Sequence, residues 1–576
     1  MRFVGEIAYD TLTADVAVIG TGGAGLMCVL HAATADPSLD ITLLSKGAVG
    51  RSGCTRMVQG GYNAVLDPGD SLDLHFADTL AGGGYLNDQE LAWALVEGAP
   101  GVIRELEQVC GCVFDRTDGD RLHQKAFAGQ SFDRTVHRGD LTGIEIMARL
   151  RDQALRIGAR ELEDVRALDL VLDAEGRVAG LTMLDAASGR FAVLRARVVV
   201  IATGGSATMY RIAAPAREKT GDGMAMCLRA GLELRDMEML QFHPTGLLAG
   251  ESLLTGSVLE EGLRGAGAHL YNGLGERFME RYDPERLERS TRDVVARSSY
   301  LEIMAGRGTP GGGVHLDLSH LGAKEVERRF EGMVKRTRLV GYDLAREPIE
   351  VSPTAHFQMG GVVIDRDCRT AVEGLLVAGE DAGGTHGSNR LGGNGVAEST
   401  VFGARSGDTA SDLASLPLRE PDLAAVRASF ARAVKPLRAG GEQPADLLAD
   451  LKDVMWQGCG LVRSRAGLEE AAAAVDDLLE RAEDAAAPGG REWNLGWQQA
   501  LDVVNQLQVA RTMIASALVR EESRGAHFRE DFPERRDEWL RYVVTQQSGD
   551  GTLETSTQPV EFTRCPPPQA VAGRAA

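Results

Sequence analysis

The chain has 576 residues, enough for two to four domains of ordinary size. Its formal net charge of −21 argues against nucleic acid as a partner, because phosphate binding needs a basic surface. The eight cysteines include no CxxC pair, so we predict neither a metal site nor an iron–sulfur cluster within this chain, and no disulfide framework.

Residues 14–46 predict a strand, a glycine-rich turn, a helix and a second strand. Two later stretches, 195–205 and 373–384, predict further buried strands that run into glycines. Strands as apolar as these are typical of a parallel sheet that is covered on both faces. The pattern therefore favours an α/β domain.

We expect the α/β domain to comprise residues 1–240 and 351–415. The stretch between them, 241–350, is richer in Arg, Glu and loop residues and is interpreted as an inserted α+β capping domain. Residues 416–535 carry apolar residues at i, i+3, i+4 and i+7 and predict a helical domain. Residues 536–576 are interpreted as a C-terminal tail without a pattern, and we expect its end to be mobile.

The stretch GTGGAG, residues 20–25, follows the first predicted strand and opens the first helix. Glycines in this context allow a tight turn and let backbone N–H groups approach a pyrophosphate. The motif therefore predicts a dinucleotide site. The acid expected about twenty residues later, to hold a ribose, is absent, because the second strand ends in Ser45 and Lys46.

Motifs that follow one another along the chain carry a family resemblance. They are LLSK (43–46), RSGCTRMVQGG (51–61), TGDGMAM (220–226), DMEMLQFHPTGL (236–247), EEGLRGAGAHLYNGLGERFMERY (260–282), RDVVARS (292–298), PTAHFQMGGV (353–362), GEDAGGTHGSNRLGGNG (379–395) and EESRGAHFREDFP (521–533). In this order they resemble the succinate dehydrogenase and fumarate reductase flavoprotein family, which includes L-aspartate oxidase. The resemblance covers nearly the whole chain. It implies a Rossmann-like FAD-binding domain, an inserted capping domain and a C-terminal helical domain.

The resemblance implies FAD as the cofactor. The residues expected to contact it are Gly20, Gly22, Gly23, Gly25, Ser45, Lys46, Cys54, Thr55, Gly60, Gly61, Asp222, Glu380 and Asn394. In respiratory members a histidine of an SHT triplet is bonded covalently to the flavin, and Cys54 takes its place here. L-aspartate oxidases also lack that histidine. The resemblance therefore implies non-covalent FAD and leans toward fumarate reduction or amino-acid oxidation, with a thioether through Cys54 as the alternative.

A substrate with two carboxylates needs cationic or strong donor groups at both ends. His243, His356 and Arg390 come from three distant motifs and supply such groups. For each residue alone, a structural role is the alternative: a histidine can form a hydrogen bond within a loop, and an arginine can form a surface ion pair. The resemblance assigns all three to a small dicarboxylate substrate and adds Phe127 and Glu260 to the substrate site.

Hydride transfer between a C–C bond and flavin N5 leaves a proton to be moved at the neighbouring carbon. In this family an arginine carries the proton, and Arg292 stands at the matching position. Glu261 and Arg264 match the acid and the second arginine of a relay, which an arginine needs because its unperturbed pKa lies above ~12. The alternative for STRDVVARS is a helix start that Ser290 caps, and both can hold at once.

The sequence departs from the family pattern at Glu260, where the family often has a threonine. Threonine donates a hydrogen bond to a substrate carboxylate, whereas an ionised glutamate repels it. Three alternatives stay open: Glu260 is protonated, it points elsewhere, or the substrate carries an ammonium as aspartate does. A smaller departure is Ala128, which replaces a glycine beside Phe127.

The leading hypothesis is the flavoprotein subunit of a fumarate reductase or succinate dehydrogenase, which passes electrons to an iron–sulfur partner. An L-aspartate oxidase-like flavin oxidase and a non-catalytic flavoprotein scaffold are the alternatives. No apolar run approaches the ~20 residues that span a bilayer, so membrane contact would go through a partner. We expect a cytoplasmic protein, held at the inner face of the membrane if partner subunits anchor it.

Overall fold

The structure, a computed structural model, describes residues 2–5 and 7–567. Its first part ends before residue 240 and contains eleven strands and five helices, in chain order. They are β1 (Arg2–Val4), β2 (Ile7–Ile19), α1 (Gly23–Ala35), β3 (Ile41–Leu44), β4 (Tyr62–Asn63), α2 (Leu72–Gly82), α3 (Gln89–Gln108), β5 (Gln124–Lys125), β6 (Thr135–Val136), α4 (Thr142–Ile157), β7 (Arg160–Leu162), β8 (Val165–Leu172), β9 (Val178–Asp185), β10 (Arg190–Ile201), α5 (Asp222–Arg229) and β11 (Leu234–Arg235).

The stretch that follows builds a separate layer around its own sheet. Its elements are β12 (Leu240–Leu247), α6 (Gly262–Gly265), β13 (His269–Tyr271), α7 (Met279–Tyr282), α8 (Arg292–Glu302), β14 (Val314–Asp317), α9 (Ala323–Arg329), α10 (Glu331–Arg338) and β15 (Ile349–Gln358). The sheet is antiparallel, in the order β12-β15-β14-β13. A hydrophobic cluster of its own, drawn from residues between Leu247 and Val351, gives this layer an independent core.

The chain then returns to the first layer through β16 (Gly361–Val362), β17 (Leu375–Val377) and α11 (Asn394–Leu413). The main sheet has the order β7-β3-β2-β10-β9-β8, with β1 beside β2 and β17 beside β10. Strands β7, β3, β2, β10 and β17 are parallel, as predicted, whereas β1 and β9 run antiparallel to them and β8 pairs antiparallel with β9. The sheet is mixed because the long β10 pairs with β9 through its first half and with β17 through its last three residues.

Four helices follow: α12 (Leu423–Val434), α13 (Pro444–Gly458), α14 (Arg465–Ala482) and α15 (Leu495–Val519). Side chains of Asp422, Ser464 and Asn494 cap the first, third and fourth by accepting backbone N–H bonds. The apolar faces of α13, α14 and α15 join the core of the main sheet. No helix within residues 2–5 and 7–567 is both long and apolar enough to cross a membrane.

The C-terminal segment differs from its prediction as a tail without a pattern. Strands β18 (Arg541–Gln547) and β19 (Leu553–Pro559) form an antiparallel hairpin, and β18 pairs with β11. The aromatic and β-branched run in RYVVTQQ and the alternating burial of LETSTQP mark the two strands, and the run was the missed signal. After the hairpin, Gln89 donates its side-chain amide to the Cys565 carbonyl at 2.6 Å. The end that we expected to be mobile, residues 568–576, lies outside the described residues.

Candidate active site

A cavity of 530 Å³ lies where the carboxyl ends of β2 and β10 meet the inserted layer. Of the residues singled out from the sequence, it is lined by Gly20, Gly22, Gly23, Ser45, Lys46, Cys54, Thr55, Gly60, Gly61, Phe127, Asp222, His243, Glu260, Glu261, Arg292, His356, Glu380 and Arg390. Gly25, Arg264 and Asn394 lie behind this lining. The edge formed by strand carboxyl ends, facing a second domain, is a usual place for a bound ligand.

The glycine turn supplies one end of the cavity. Gly20 has a φ of +104°, and a Cβ there would lie 2.1 Å from the Ala202 carbonyl oxygen. Gly22 is the N-cap residue of α1 and has no side chain to cap the helix, so the helix N-terminus faces the cavity, as a pyrophosphate requires. Gly25 has a packing role, because its Cβ would lie 1.9 Å from the Gly20 carbonyl. The backbone N–H of Gly23 donates to Thr55 Oγ1 at 3.1 Å.

Lys46 and Asp222 meet at the edge of the cavity. Lys46 Nζ lies 2.8 Å from Asp222 Oδ2 and donates to Thr220 Oγ1 at 2.7 Å. Burial alone would raise the pKa of Asp222, but Lys46 and Arg166 outweigh it and hold the pKa well below its usual range. Asp222 is therefore a buried anion at the start of α5 whose charge two cations balance. Ser45, at the end of β3, accepts a hydrogen bond from Thr21 at 3.2 Å.

Glu380 forms an ion pair that the sequence did not predict. Lys219 Nζ donates to both of its carboxylate oxygens at 2.5 Å, and the backbone N–H of Gln358 donates to Oε1 at 2.8 Å. Burial raises the pKa of Glu380, and Lys219 opposes that shift. Cys54 lines the same cavity, and burial raises the pKa of its thiol. Lys219 has only a weak signal in the sequence, namely its place directly before TGDG.

Asn394 directs its side chain away from the cavity into a buried polar network. Its Oδ1 accepts a hydrogen bond from Asn63 Nδ2 at 2.7 Å and lies 3.1 Å from His75 Nε2. Its Nδ2 donates to Thr79 Oγ1 at 3.2 Å. The neighbouring Gly393 lines the cavity instead. Asn394 is the first residue of α11, and its side chain anchors the start of that helix. Its contact with the cofactor stays a prediction.

Arg292 is the first residue of α8 and is held there by Glu261. Its Nε and Nη2 donate to Glu261 Oε2 at 2.8 and 2.6 Å. The other oxygen, Oε1, lies 3.4 Å from Arg264 Nη2. Burial would raise the pKa of Glu261, but Arg292 and Arg264 lower it, so the carboxylate is an anion between two cations. The helix begins one residue after Thr291, so Ser290 is not the cap that we considered.

Arg264 lies behind Glu261. Its Nη1 donates to the backbone carbonyls of Glu288 and Ser290, at 2.6 and 3.2 Å. The side chain is 1% exposed, and burial lowers the pKa of its guanidinium. The three residues that the sequence assigned to proton transfer therefore form one continuous chain of contacts, with Arg292 at the cavity and Arg264 in the interior.

His243, His356 and Arg390 converge on the cavity from β12, β15 and the loop before α11. The two imidazole rings lie 5.5 Å apart, and Arg390 Nη2 lies 3.2 Å from His356 Nε2. Burial, reinforced by nearby arginines, holds the pKa of both histidines well below 6.5, so both rings are neutral. The backbone N–H of Thr245 donates to His243 Nδ1 at 3.3 Å, which leaves the Nε2 hydrogen free to donate.

Gln241 is a residue that sequence reasoning missed. Its Oε1 accepts a hydrogen bond from Arg292 Nη1 at 3.0 Å. Its Nε2 donates to the Arg390 carbonyl and to Asn389 Oδ1, both at 2.8 Å. Gln241 thereby connects the arginine of the proton chain to the loop of the substrate arginine. The sequence signal that could have identified Gln241 is its position two residues before His243 in the same strand.

Phe127 and Glu260 also line the cavity. The ring of Phe127 fits against glycine, because a Cβ at Gly60 would lie 2.4 Å from its Cζ atom. Glu260 is buried, and its Oε2 atom lies 3.6 Å from Lys125 Nζ. Burial raises the pKa of Glu260, and Lys125 opposes the shift. Sequence reasoning missed Lys125.

Two family models match the chain. The first, described as FAD binding domain, matches residues 15–396, and the second, Fumarate reductase flavoprotein C-term, matches residues 448–572. Together they span most of the chain. They confirm the predicted FAD-binding domain and account for the C-terminal helices and hairpin as part of the same protein type.

Named relatives agree with these matches. A fumarate reductase (CoM/CoB) chain of Methanothermobacter marburgensis is 42% identical over 533 residues, which cover 92% of this chain and 96% of the relative. The fumarate reductase flavoprotein subunit of Escherichia coli K12 is 34% identical and covers 98% and 96%. These relatives match almost end to end.

Solved structures show the same architecture. A variant of the E. coli quinol fumarate reductase FrdA superposes with a TM-score of 0.92 at 34% identity, covering 97% of this chain and 99% of that one. Mycobacterium smegmatis Sdh1 in complex with UQ1 superposes with a TM-score of 0.86 at 36% identity, covering 96% and 95%. The predicted α/β fold, with its capping and C-terminal helical domains, is confirmed. The chain belongs to the fumarate reductase and succinate dehydrogenase flavoprotein family.

Proposed function

We propose that this chain is the flavoprotein subunit that interconverts fumarate and succinate with FAD. The observation that carries the proposal is the placement of Arg292, backed by Glu261, in one cavity with His243, His356 and Arg390. These groups suit a substrate with a carboxylate at each end and a proton to be moved between them. A non-catalytic flavoprotein scaffold would not need these substrate-binding and proton-transfer groups.

The chain's own residues fit FAD. The uncapped N-terminus of α1 and the turn at Gly20 suit a pyrophosphate, and the same cavity continues to the substrate residues. Bound FAD supplies the acceptor or donor of a hydride. We propose that the contacts are non-covalent, because Cys54 replaces the family's tethering histidine and its thiol pKa is raised by burial. The site residues named from the sequence remain part of this proposal.

The substrate-binding step needs the positive charge of Arg390 and a hydrogen bond from neutral His243. Burial and the neighbouring Arg292 lower the pKa of Arg390. A dianion that binds in the cavity offsets the positive charge of these two arginines. His356 Nε2 lies 3.2 Å from Arg390 Nη2, and this contact orients the guanidinium of Arg390. We propose that these groups hold the dicarboxylate so that its reacting carbon lies next to Arg292.

Proton transfer then uses the chain of contacts behind the cavity. Arg292 gives a proton to the substrate carbon in fumarate reduction. Arg264 then passes a proton across the 3.4 Å contact to the anionic Glu261, which delivers it to Nε or Nη2 of Arg292. In succinate oxidation the same steps run in reverse. An anion placed between two guanidinium groups is suited to this exchange because it contacts both.

Electrons must leave or enter through another molecule. The eight cysteines are free, and the described part of the chain brings no three metal-ligating side chains together. We propose that the partner is an iron–sulfur protein, which would also provide any attachment to a membrane at its cytoplasmic face. One relative is named for CoM and CoB, which makes a CoM- and CoB-dependent partner a second candidate.

An L-aspartate oxidase-like activity is the second candidate function, favoured by one observation. Glu260 is a buried carboxylate beside the substrate residues, and an ammonium would complement its charge. The deciding experiment is anaerobic. We expect fumarate to reoxidise the dithionite-reduced, FAD-loaded protein and L-aspartate to leave the oxidised flavin unbleached. Bleaching by aspartate would replace the fumarate assignment with amino-acid oxidation.

A further inference from the structure

Glu260 is a buried carboxylate at the substrate cavity, and one of its oxygens lacks a hydrogen-bond donor among the described residues. The residue is 5% exposed and lines the cavity next to Glu261. Its Oε2 atom accepts no hydrogen bond from any residue in the described ranges 2–5 and 7–567. The nearest cation, Lys125 Nζ, is 3.6 Å away, beyond an ordinary hydrogen bond. A buried carboxylate in this state costs free energy unless a proton or a ligand completes it.

The groups around Glu260 do not compensate its charge. Lys125, on β5, favours the ionised form, whereas Asp140 and Glu261 disfavour it, and burial disfavours it most. Arg336, on α10, also lines the cavity but donates to the Val258 carbonyl at 3.4 Å. The balance raises the pKa of Glu260 in the empty site. A dianion placed beside it raises that pKa further, because like charges repel.

We propose that Glu260 takes up one proton when a dicarboxylate binds and donates it, as a carboxyl hydrogen bond, to one carboxylate of the substrate. This inference rests on the proposed function and names how the site recognises its substrate class. The proton comes from solvent, and no bond to carbon changes. Protonated Glu260 thereby supplies the donor that a threonine supplies elsewhere in the family, and it makes binding depend on pH.

The alternative, an ionised Glu260, suits an amino acid better than a plain dicarboxylate. Its charge would pair with an ammonium and would repel a second carboxylate at the same place. The two states of Glu260 therefore predict opposite substrate preferences. Proton uptake distinguishes them without turnover, since only the first state takes up a proton on binding.

The test measures the dissociation constant of malonate for the FAD-loaded protein by flavin absorbance. Malonate is a dicarboxylate without a CH–CH bond to oxidise. Between about pH 6.5 and 8, malonate is a dianion, and both buried histidines have a pKa well below 6.5 before it binds. The part of the slope that depends on Glu260 is the part that Glu260→Gln removes. We expect the constant to rise up to about tenfold per pH unit in the wild type. In Glu260→Gln, whose amide donates at every pH, we expect it to stay constant.

Two further variants complete the design. Glu285→Gln changes an exposed glutamate on the same domain and should keep the wild-type slope. Lys125→Met removes the cation that favours ionised Glu260, so the rise should begin at higher pH. This variant tests the idea independently if Glu260→Gln fails to fold.

The outcomes separate the two proposals. Failure of malonate to bind the wild type would overturn the proposed function. Binding with no dependence on pH, or with the same dependence in Glu260→Gln, would overturn the role of Glu260 and leave the function standing. Selective loss of L-aspartate binding in Glu260→Gln would assign Glu260 to an ammonium instead.

Discussion

Glu261 accepts both hydrogen bonds from Arg292 through the single oxygen Oε2 and leaves Oε1 facing Arg264. An ordinary fork-to-fork pair would use both oxygens for one guanidinium. Here the carboxylate bridges two guanidinium groups instead. That arrangement connects the cavity with the interior, as a proton route requires. Among the residues that the structure describes, the one further acceptor for Arg292 is Gln241.

Replacing Glu261 with Gln should interrupt this route while keeping the volume of the side chain. The amide accepts at one atom only and cannot carry a proton between the arginines. We expect turnover with fumarate to fall by about 10²- to 10⁴-fold, the usual contribution of a positioned acid or base. Binding of FAD and malonate, measured by flavin absorbance, should change little. Turnover within about tenfold of wild type would remove Glu261 from the route.

Gln241 offers a test of positioning apart from proton transfer. In Gln241→Met the side chain keeps its length but loses its hydrogen bonds to Arg292, Asn389 and the Arg390 carbonyl. We expect kcat to fall by about tenfold or more, since misplaced reacting groups cost that much or more, while the pH dependence of kcat keeps its shape. Gln241→Glu should recover part of the loss, because its carboxylate still accepts from Arg292. Equal kcat in all three proteins would show that Arg292 needs no such support.

The resemblance to the family singled out the residues of the proposed proton chain and substrate site, because each lies in a recognisable motif, and the structure brings them together. Sequence reasoning missed Lys219, Lys125 and Gln241, which belong to the site only because the fold brings distant segments together. The position of a lysine in the sequence does not reveal that its long side chain reaches a buried carboxylate. Such partners become visible only when the three-dimensional contacts are known.

The fold could be predicted from the sequence to a similar extent. The first β-α-β unit and the long helices follow from apolar periodicity, and the inserted layer follows from a change in composition. The hairpin of β18 and β19 was overlooked because β19 is largely exposed and β18 depends on pairing with the two-residue strand β11. The buried network that Asn394 forms with Asn63 and Thr79 could not be predicted for a related reason, because its members are distant in the sequence.

Lys219→Met should destabilise the FAD-free protein in a way that depends on pH. The variant leaves Glu380 buried without its cation, and breaking such a pair costs about 3–5 kcal/mol. Burial already raises the folded-state pKa of Glu380 above its unfolded value, so the penalty for ionised Glu380 is present at high pH and disappears as pH falls below that value. Denaturant unfolding at about pH 8 and pH 5 should show the larger loss at the higher pH.

The double variant Lys219→Met/Glu380→Leu is the matched control for that measurement. It removes the stranded carboxylate together with its partner, so stability should recover and its difference from wild type should lose most of the pH dependence. A Lys219→Met loss that is equal at both pH values, or that persists in the double variant, would mean that Lys219 stabilises the fold through packing of its methylene groups.

Cys54 decides how the flavin is held. A thiol attacks as its thiolate, and burial raises the pKa of Cys54 despite the nearby Lys219, which keeps the sulfur protonated and poorly nucleophilic. We therefore expect acid precipitation of the holoprotein to leave a colourless pellet and all of the FAD in the supernatant. Cys54→Ser should release FAD in the same way and bind it with an affinity within a few-fold of wild type. A yellow pellet that becomes colourless in Cys54→Ser would instead establish a thioether and overturn non-covalent binding.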